Sequence, residues 1–138
     1  MSGSKKNKVV VIGAGRVGES VVYTLALSRV ASEIVMVDVA VDRAKGSALD
    51  VNHGLAFHKQ VVVRQGDYSD CADAKVIIVS AGLARKPGQT RLDLAKSNVN
   101  IARSIAKSIM EYANDPIIVV ISNPVDVLTY VIQKETGL

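Results

Sequence analysis

The chain has 138 residues, 49% hydrophobic and 22% charged, which excludes a disordered polypeptide and supplies enough apolar side chain for one core. A net charge of +4 would suit a nucleic-acid partner, but the cations are scattered and aromatics make up only 4%, with no tryptophan, so base-stacking platforms are scarce and nucleic acid is not expected. No apolar run is long enough to span a bilayer, and the start, MSGSKKNK, lacks the apolar stretch of a secretion signal, so neither membrane nor export is expected.

Residues 1–7 read as a loose polar tail. KVVVIG (Lys8 to Gly13) then reads as a buried strand, and RVGESVVYTLALS (Arg16 to Ser28) as a helix with Val17, Val21 and Leu25 at helical spacing. EIVMVD (Glu33 to Asp38) is the second strand. VDRAKGSALDVNHG is a helix with Ala44, Ala48, Leu49 and Val51 apolar and Gly54 as its stop. VVVR (Val61 to Arg64) is the third strand, and AKVIIVS (Ala74 to Ser80) the fourth, apolar enough for burial on both faces. Cys71, just before it, is the only cysteine; with no partner and no zinc spacing around it, it reads as an unpaired thiol of a reducing cytoplasm, and no metal site is expected. TRLD opens a long helix from Thr90 to about Tyr112, with Thr90 and Asp93 spaced for a capping box. PIIVVIS (Pro116 to Ser122) is the fifth strand, and a last helix follows with Asn123 as cap, Pro124 in the first turn and Gly137 as stop.

Strands alternating with helices predict an α/β fold of Rossmann type: a doubly wound parallel sheet in the order 3-2-1-4-5. The sixth strand usual in that fold is missing, which leads us to expect that Leu138 is not the natural end of the polypeptide.

GAGRVG supplies Gly13, Gly15 and Gly18 in the G-x-G-x-x-G pattern, between a strand and a helix. Alone the pattern is weak, but Asp38 stands at the end of the next strand, 20 residues after Gly18. Gly13 permits the tight turn, Gly15 lets a pyrophosphate approach the backbone, and Gly18 lets the helix pack close on the strand. The helix N-terminus offers free N–H groups to phosphate. Asp38 can accept hydrogen bonds from ribose hydroxyls and would repel a 2′-phosphate, so NAD is favoured over NADP as cofactor. GDYSD (Gly66 to Asp70), SAG (Ser80 to Gly82) and ISN (Ile121 to Asn123) stand at carboxyl ends of strands, where the ligand crevice should lie, although turn chemistry alone would explain them as well.

GAGRVG, DVNHG, RKPGQTRLDLAKSNVNI and SNPVDVLTY together resemble the NAD-dependent L-lactate and L-malate dehydrogenase family, over the whole chain from about Lys8. The wording is closest to the bacterial L-lactate branch. The resemblance implies that residues 8–138 form the NAD-binding domain, with a carboxyl-terminal catalytic domain absent from this chain. It implies that Val17, Arg43, Tyr68, Gly82, Leu83, Ser104, Ile121 and Asn123 join the glycines and Asp38 around NAD. Arg91 matches the loop arginine that polarises the substrate carbonyl, Asn123 the asparagine that bonds the reacting oxygen, and Asp126 a position near the same pocket. LARKPGQTR would be the lid that brings Arg91 to the substrate. Arg91 lies in the first turn of a helix, poor placement for a cation on dipole grounds, which favours a functional reason for it.

Arg85 is the departure. It occupies the lid position at which glutamine usually accompanies pyruvate and arginine accompanies oxaloacetate. A guanidinium can pair bidentately with a second carboxylate, whereas pyruvate offers a methyl group there. The general wording therefore points to lactate and Arg85 to malate. His53 and His58 match no catalytic histidine of the family and read as structural or solvated. The expected partner is a small 2-oxo or 2-hydroxy acid, the full-length assembly a homodimer or homotetramer, the location cytoplasmic, and the 138-residue chain inactive by itself. A stand-alone dinucleotide-binding module is the alternative.

Overall fold

The computed structural model describes residues 7–56 and 61–138. Five parallel strands, β1 (Lys8–Ile12), β2 (Glu33–Val37), β3 (Val62–Gln65), β4 (Val76–Val79) and β5 (Ile117–Val120), form one sheet in the order β3-β2-β1-β4-β5. The α/β architecture and strand order are those expected from the sequence. Four helices flank it: α1 (Arg16–Ser28), α2 (Val41–Gly54), α3 (Arg91–Met110) and α4 (Val125–Thr136). Among the described residues no helix is long and apolar enough to cross a membrane.

Side chains alternate across the sheet, as a strand requires. Val10, Ile12, Val35, Val37, Ile77 and Val79 face α3 and α4, where Ile105, Ile109, Leu128 and Ile132 meet them. Val9, Val11, Ile34, Met36 and Val63 face α1 and α2, where Val22, Ala26, Ala44, Ala48 and Val51 meet them. Each fully buried Val or Ile stabilises the fold by about 1.5–3 kcal/mol. β5 is an edge strand with Ile117 63% and Val119 41% exposed.

Several sequence expectations need adjustment. The buried face of α1 is Gly18, Val22 and Ala26, one residue beyond the anticipated stripe; Val17 is 58% exposed. Gly18 sets that face, because a Cβ there would overlap the Gly13 carbonyl oxygen, so only glycine can make the contact. In α2 the inward residues include Ser47, which donates to Glu19, while Leu49 is exposed; Gly54 is the last helical residue, as expected, with Leu55 as the C-cap. Thr90 and Asp93 form the expected capping box, but Asn123 does not cap α4: Pro124 occupies the N-cap, without a side-chain hydrogen bond. Asn7, read as tail, holds β2 through its carbonyl, which accepts from the Ser32 N–H at 3.0 Å. Residues 1–6 and His58 lie outside the described residues.

The connection from β3 to β4 contains a 3-10 turn, Tyr68–Asp73, on the α3 and α4 side of the sheet, where the sequence reading offered a place at the ligand crevice or a simple turn. Asp67 and Asp70 cap it reciprocally. Asp70 also accepts from Arg64 at 2.5 Å and from the buried Lys8 at 3.2 Å, while Lys8 reaches Asp73 at 2.7 Å and Arg64 reaches Glu33 at 2.9 Å. Burial alone would raise the pKa of Asp70, but Arg64, the Asp67 amide and Lys8 outweigh it and hold it down at about 2. The Cys71 thiol beside them is free, buried and pushed up to about 11, chiefly by burial and then by Asp70, so it is inert.

Candidate dinucleotide site

The carboxyl ends of the strands are joined by side chains that bond to main chain. Asp38, at the end of β2, accepts from the Ala14 N–H at 2.7 Å with one oxygen and from the Ala40 N–H at 2.8 Å with the other. Ser80, after β4, places its hydroxyl 3.1 Å from the carbonyls of both Ile12 and Gly13. Ser122, after β5, bonds the carbonyls of Ala81 at 2.8 Å and Val79 at 3.2 Å. These contacts tie β2 to β1, β1 to β4 and β4 to β5 just below the ligand crevice.

The crevice is a cavity of about 350 Å³. Its floor is the glycine loop: Gly13 has φ of 109°, and a Cβ there would stand 2.7 Å from the Ala81 nitrogen. Gly15 opens into it, with no atom within 4 Å of where a Cβ would stand. Gly15 is the N-cap of α1 and supplies no side-chain cap, so the first amides of that helix have no side-chain acceptor. Asp38, Arg43 and Tyr68 line one side, and Gly82, Leu83 and Ser104 the other, with Ile101 and Ile105 as apolar wall. Burial, followed by the influence of Cys71 and Asp38, raises the pKa of the Tyr68 phenol, so it stands there as a neutral hydroxyl.

Of the residues singled out from sequence, Gly13, Gly15, Asp38, Arg43, Tyr68, Gly82, Leu83 and Ser104 are therefore brought together in one cavity. Gly18 lies behind it, packed on Gly13. Val17 faces outward onto a shallow groove along α1, away from the cavity lining. Ile121 is half-buried and bonds the Val79 carbonyl through its N–H at 3.0 Å. Asn123 and Asp126 are exposed beside the end of β5. A carboxylate, an uncapped helix N-terminus and an open glycine are the donor and acceptor set that suits a ribose joined to a pyrophosphate. Among the described residues no group of three His, Cys, Asp or Glu side chains gathers as a metal site.

Residues 84–89 form a self-contained loop between two posts. The Arg85 Nε donates to the Gln89 carbonyl at 3.0 Å, the Lys86 N–H donates to the Gln89 side chain at 3.1 Å, and the Gln89 N–H returns to the Lys86 carbonyl at 3.1 Å. At one end, Leu83 is held by Asn98 of α3; at the other, Thr90 is held by Asp93. Arg91 is exposed at the first position of α3. Asn98 was not assigned a role from sequence, because an asparagine in mid-helix reads as solvated until its burial is seen.

Comparison with known proteins agrees with this geometry. The family described as lactate/malate dehydrogenase, NAD binding domain, matches residues 7–138. L-lactate dehydrogenase 1 of Clostridium acetobutylicum is 50% identical over 133 residues, which are 96% of this chain and 42% of that protein. L-lactate dehydrogenase of Acetivibrio thermocellus is 46% identical, over 94% of this chain and 41% of that protein. Among solved structures, the minor L-lactate dehydrogenase from Enterococcus mundtii in its ligands-bound form superposes with a TM-score of 0.94 at 46% identity, over 98% of this chain and 43% of that one. The malate dehydrogenase from Archaeoglobus fulgidus in complex with NADH gives 0.89 at 45% identity, over 95% of this chain and 45% of that one. The chain thus spans about two-fifths of the length of these relatives. By its fold, its glycine loop with Asp38, and the match along residues 7–138, the chain belongs to the NAD-binding domain family of the lactate/malate dehydrogenases.

Proposed function

We propose that this chain forms the NAD-binding part of an NAD-dependent L-2-hydroxy acid dehydrogenase whose main substrates are pyruvate and L-lactate. The observation that carries the reading is the single cavity bounded by Asp38 and Gly15 at one end and by Leu83, the root of the lid loop, at the other. A dinucleotide laid along it places its ribose at Asp38 and its pyrophosphate at the N-terminus of α1, and directs its other end towards Leu83 and Asn123. Bound NADH supplies a hydride from C4 of the nicotinamide.

The chain's own residues bind and polarise. Arg91, at the start of α3 just beyond the lid, turns its positive charge on the substrate oxygen and stabilises the developing alkoxide, while closure of the lid clears that space of water. Asn123 donates a hydrogen bond to the same oxygen, and Asp126 lies beside that pocket. His53, the one histidine among the described residues, stands exposed in the last turn of α2 and lines no part of the cavity. Proton delivery therefore falls to a group outside the described residues.

Malate is the second reading, and Arg85 favours it. Only its Nε is bonded to the loop backbone, so its terminal nitrogens remain to grip a second carboxylate. The L-lactate relatives and the intraloop bond, which turns Arg85 towards Gln89, favour pyruvate. The test is kcat/KM for pyruvate and for oxaloacetate with NADH, using the full reading frame read to its own stop codon. A preference for pyruvate supports the proposal; a preference for oxaloacetate assigns Arg85 to the second carboxylate. Turnover of neither acid refutes the dehydrogenase reading. A cytoplasmic location and a homodimeric or homotetrameric assembly belong to the same proposal, and light scattering of the purified protein checks the assembly.

A further inference from the structure

One polar side chain in the core side of α3 has no packing reason to be there. Asn98 is 3% exposed, on the helix face that also carries the buried Ala102 and Ile105. Burying an amide costs free energy unless its bonds are replaced, and an apolar residue of the same size would avoid that cost. Every side-chain bond of Asn98 goes to main chain of other segments. Its Oδ1 accepts from the Leu83 N–H at 2.8 Å, and its Nδ2 donates to the Leu83 carbonyl at 3.4 Å and the Asn123 carbonyl at 3.2 Å. A Cβ on Gly82, in the cavity wall, would stand 3.5 Å from Oδ1, so the amide lies against that wall.

The segments it joins are those that matter for the proposed chemistry. Leu83 is where the lid begins, and Asn123 follows β5. Arg91 is seven residues earlier on the same helix, nearly two full turns and about 10 Å along the axis, and a helix is stiff over that length. The Asn98 amide therefore ties the backbone of Asn123 directly to the helix that carries Arg91, beside the apolar packing of α3 on α4.

We propose that Asn98 is a positioning residue: it fixes the root of the lid and the backbone of Asn123 against α3, so that Arg91 and Asn123 meet the same substrate oxygen when the lid closes. It acts through Leu83 and Asn123. The inference rests on the dehydrogenase reading above and names a residue that the reading does not use.

The test compares the full reading frame with Asn98→Leu and Asn98→Asp. Leucine keeps the volume and removes every bond. Aspartate keeps the acceptor for Leu83 N–H but sets an oxygen against the carbonyls of Leu83 and Asn123. Three quantities are read: kcat per NADH-binding site, the Kd for NADH by titration, and hydrogen exchange at the Leu83 amide. Both variants are expected to lower kcat about tenfold to a hundredfold, the cost of misplacing reacting groups by about an ångström, while the Kd for NADH changes less than about threefold. Leu83 exchange should accelerate in Asn98→Leu and stay slow in Asn98→Asp. A purely structural asparagine would lower the melting temperature and the active fraction but leave kcat per site intact, and that result overturns the proposal. So does unchanged Leu83 exchange in Asn98→Leu; if the leucine variant fails to fold, kcat of Asn98→Asp decides. Wild-type protein that reduces neither pyruvate nor oxaloacetate removes the dehydrogenase reading and this role with it, whereas active wild type with unchanged variants removes this role alone.

Discussion

Asp38→Asn replaces one carboxylate oxygen by an amino group and leaves the volume almost unchanged. The native carboxylate accepts from Ala14 N–H at 2.7 Å and Ala40 N–H at 2.8 Å, one bond on each oxygen. Asparagine has one acceptor oxygen, so in either flip its amino group faces a backbone N–H. Losing a hydrogen bond to a charged partner costs about 1.5–3 kcal/mol, and the protein without ligand should lose stability in that range. Ribose hydroxyls would then meet a neutral acceptor, with bonds about half as strong, which lowers NADH affinity by roughly tenfold. For NADPH the sign reverses in part. A carboxylate about 5 Å from a doubly charged phosphate repels it by more than about 1 kcal/mol even in water, and asparagine removes that repulsion. The ratio of the two dissociation constants should therefore move towards unity by between tenfold and a hundredfold, on the order given by these terms. Calorimetric titration with NADH and NADPH measures it, with Asp38→Ala as companion. Alanine loses both backbone bonds and so destabilises more, yet it should shift the NADPH-to-NADH ratio in the same direction. If that ratio stays within threefold of wild type, on the order of 0.7 kcal/mol, in both variants, Asp38 serves only the main chain and the ribose assignment is wrong.

Arg91→Gln should lower kcat by about two to three orders of magnitude with NADH affinity unchanged, because the charge acts on the transition state and lies outside the cavity lining; steady-state kinetics with an NADH titration checks both halves. Gly18→Ala drives a methyl into the Gly13 carbonyl oxygen, so the helix must lift from the loop; a loss of about 2–4 kcal/mol in urea unfolding is expected, and a loss under 1 kcal/mol would contradict the close packing. Asp70 titrates at about 2 in the folded protein against an ordinary value of 3.8. Its contribution, about 2 kcal/mol, is fully present above about pH 5 and is lost as pH falls through 4 towards 2. Asp70→Asn should therefore be less stable than wild type at pH 7, with the gap narrowing by pH 3; an equal gap at both values would refute the ion-pair account.

Much of the fold could be read in the sequence because its signals are local. Runs such as KVVVI and EIVMV have only one stable environment, a sheet covered on both faces, and parallel pairing with helical crossovers then restricts the strand order. The glycine loop and Asp38 were legible for the same reason, since spacing alone brings them together across β1 and β2. Other features depend on contacts between distant segments. The inward face of α1 is set by Gly18 against Gly13, a steric fact that hydrophobic periodicity cannot register when valines lie on both sides. The ion-pair group of Lys8, Arg64 and Asp70 spans 62 residues between Lys8 and Asp70 and reads in sequence as ordinary surface charge. Asn98 shows the same blindness: its meaning lies entirely in the carbonyls and the N–H that the fold brings to it.

The two posts of the loop at residues 84–89 have an evolutionary consequence. Leu83 is pinned from below by Asn98 and Thr90 by Asp93, so residues 84–89 are joined to fixed points at both ends. Five of those six residues are exposed, and the side-chain hydrogen bonds of Arg85 and Gln89 remain within the loop. Exchanging them costs the core almost nothing, whereas exchanging the posts would uncap α3 or free Leu83 from it. The loop is a cassette: Arg85 and its neighbours can be rewritten while the scaffold beneath keeps its shape.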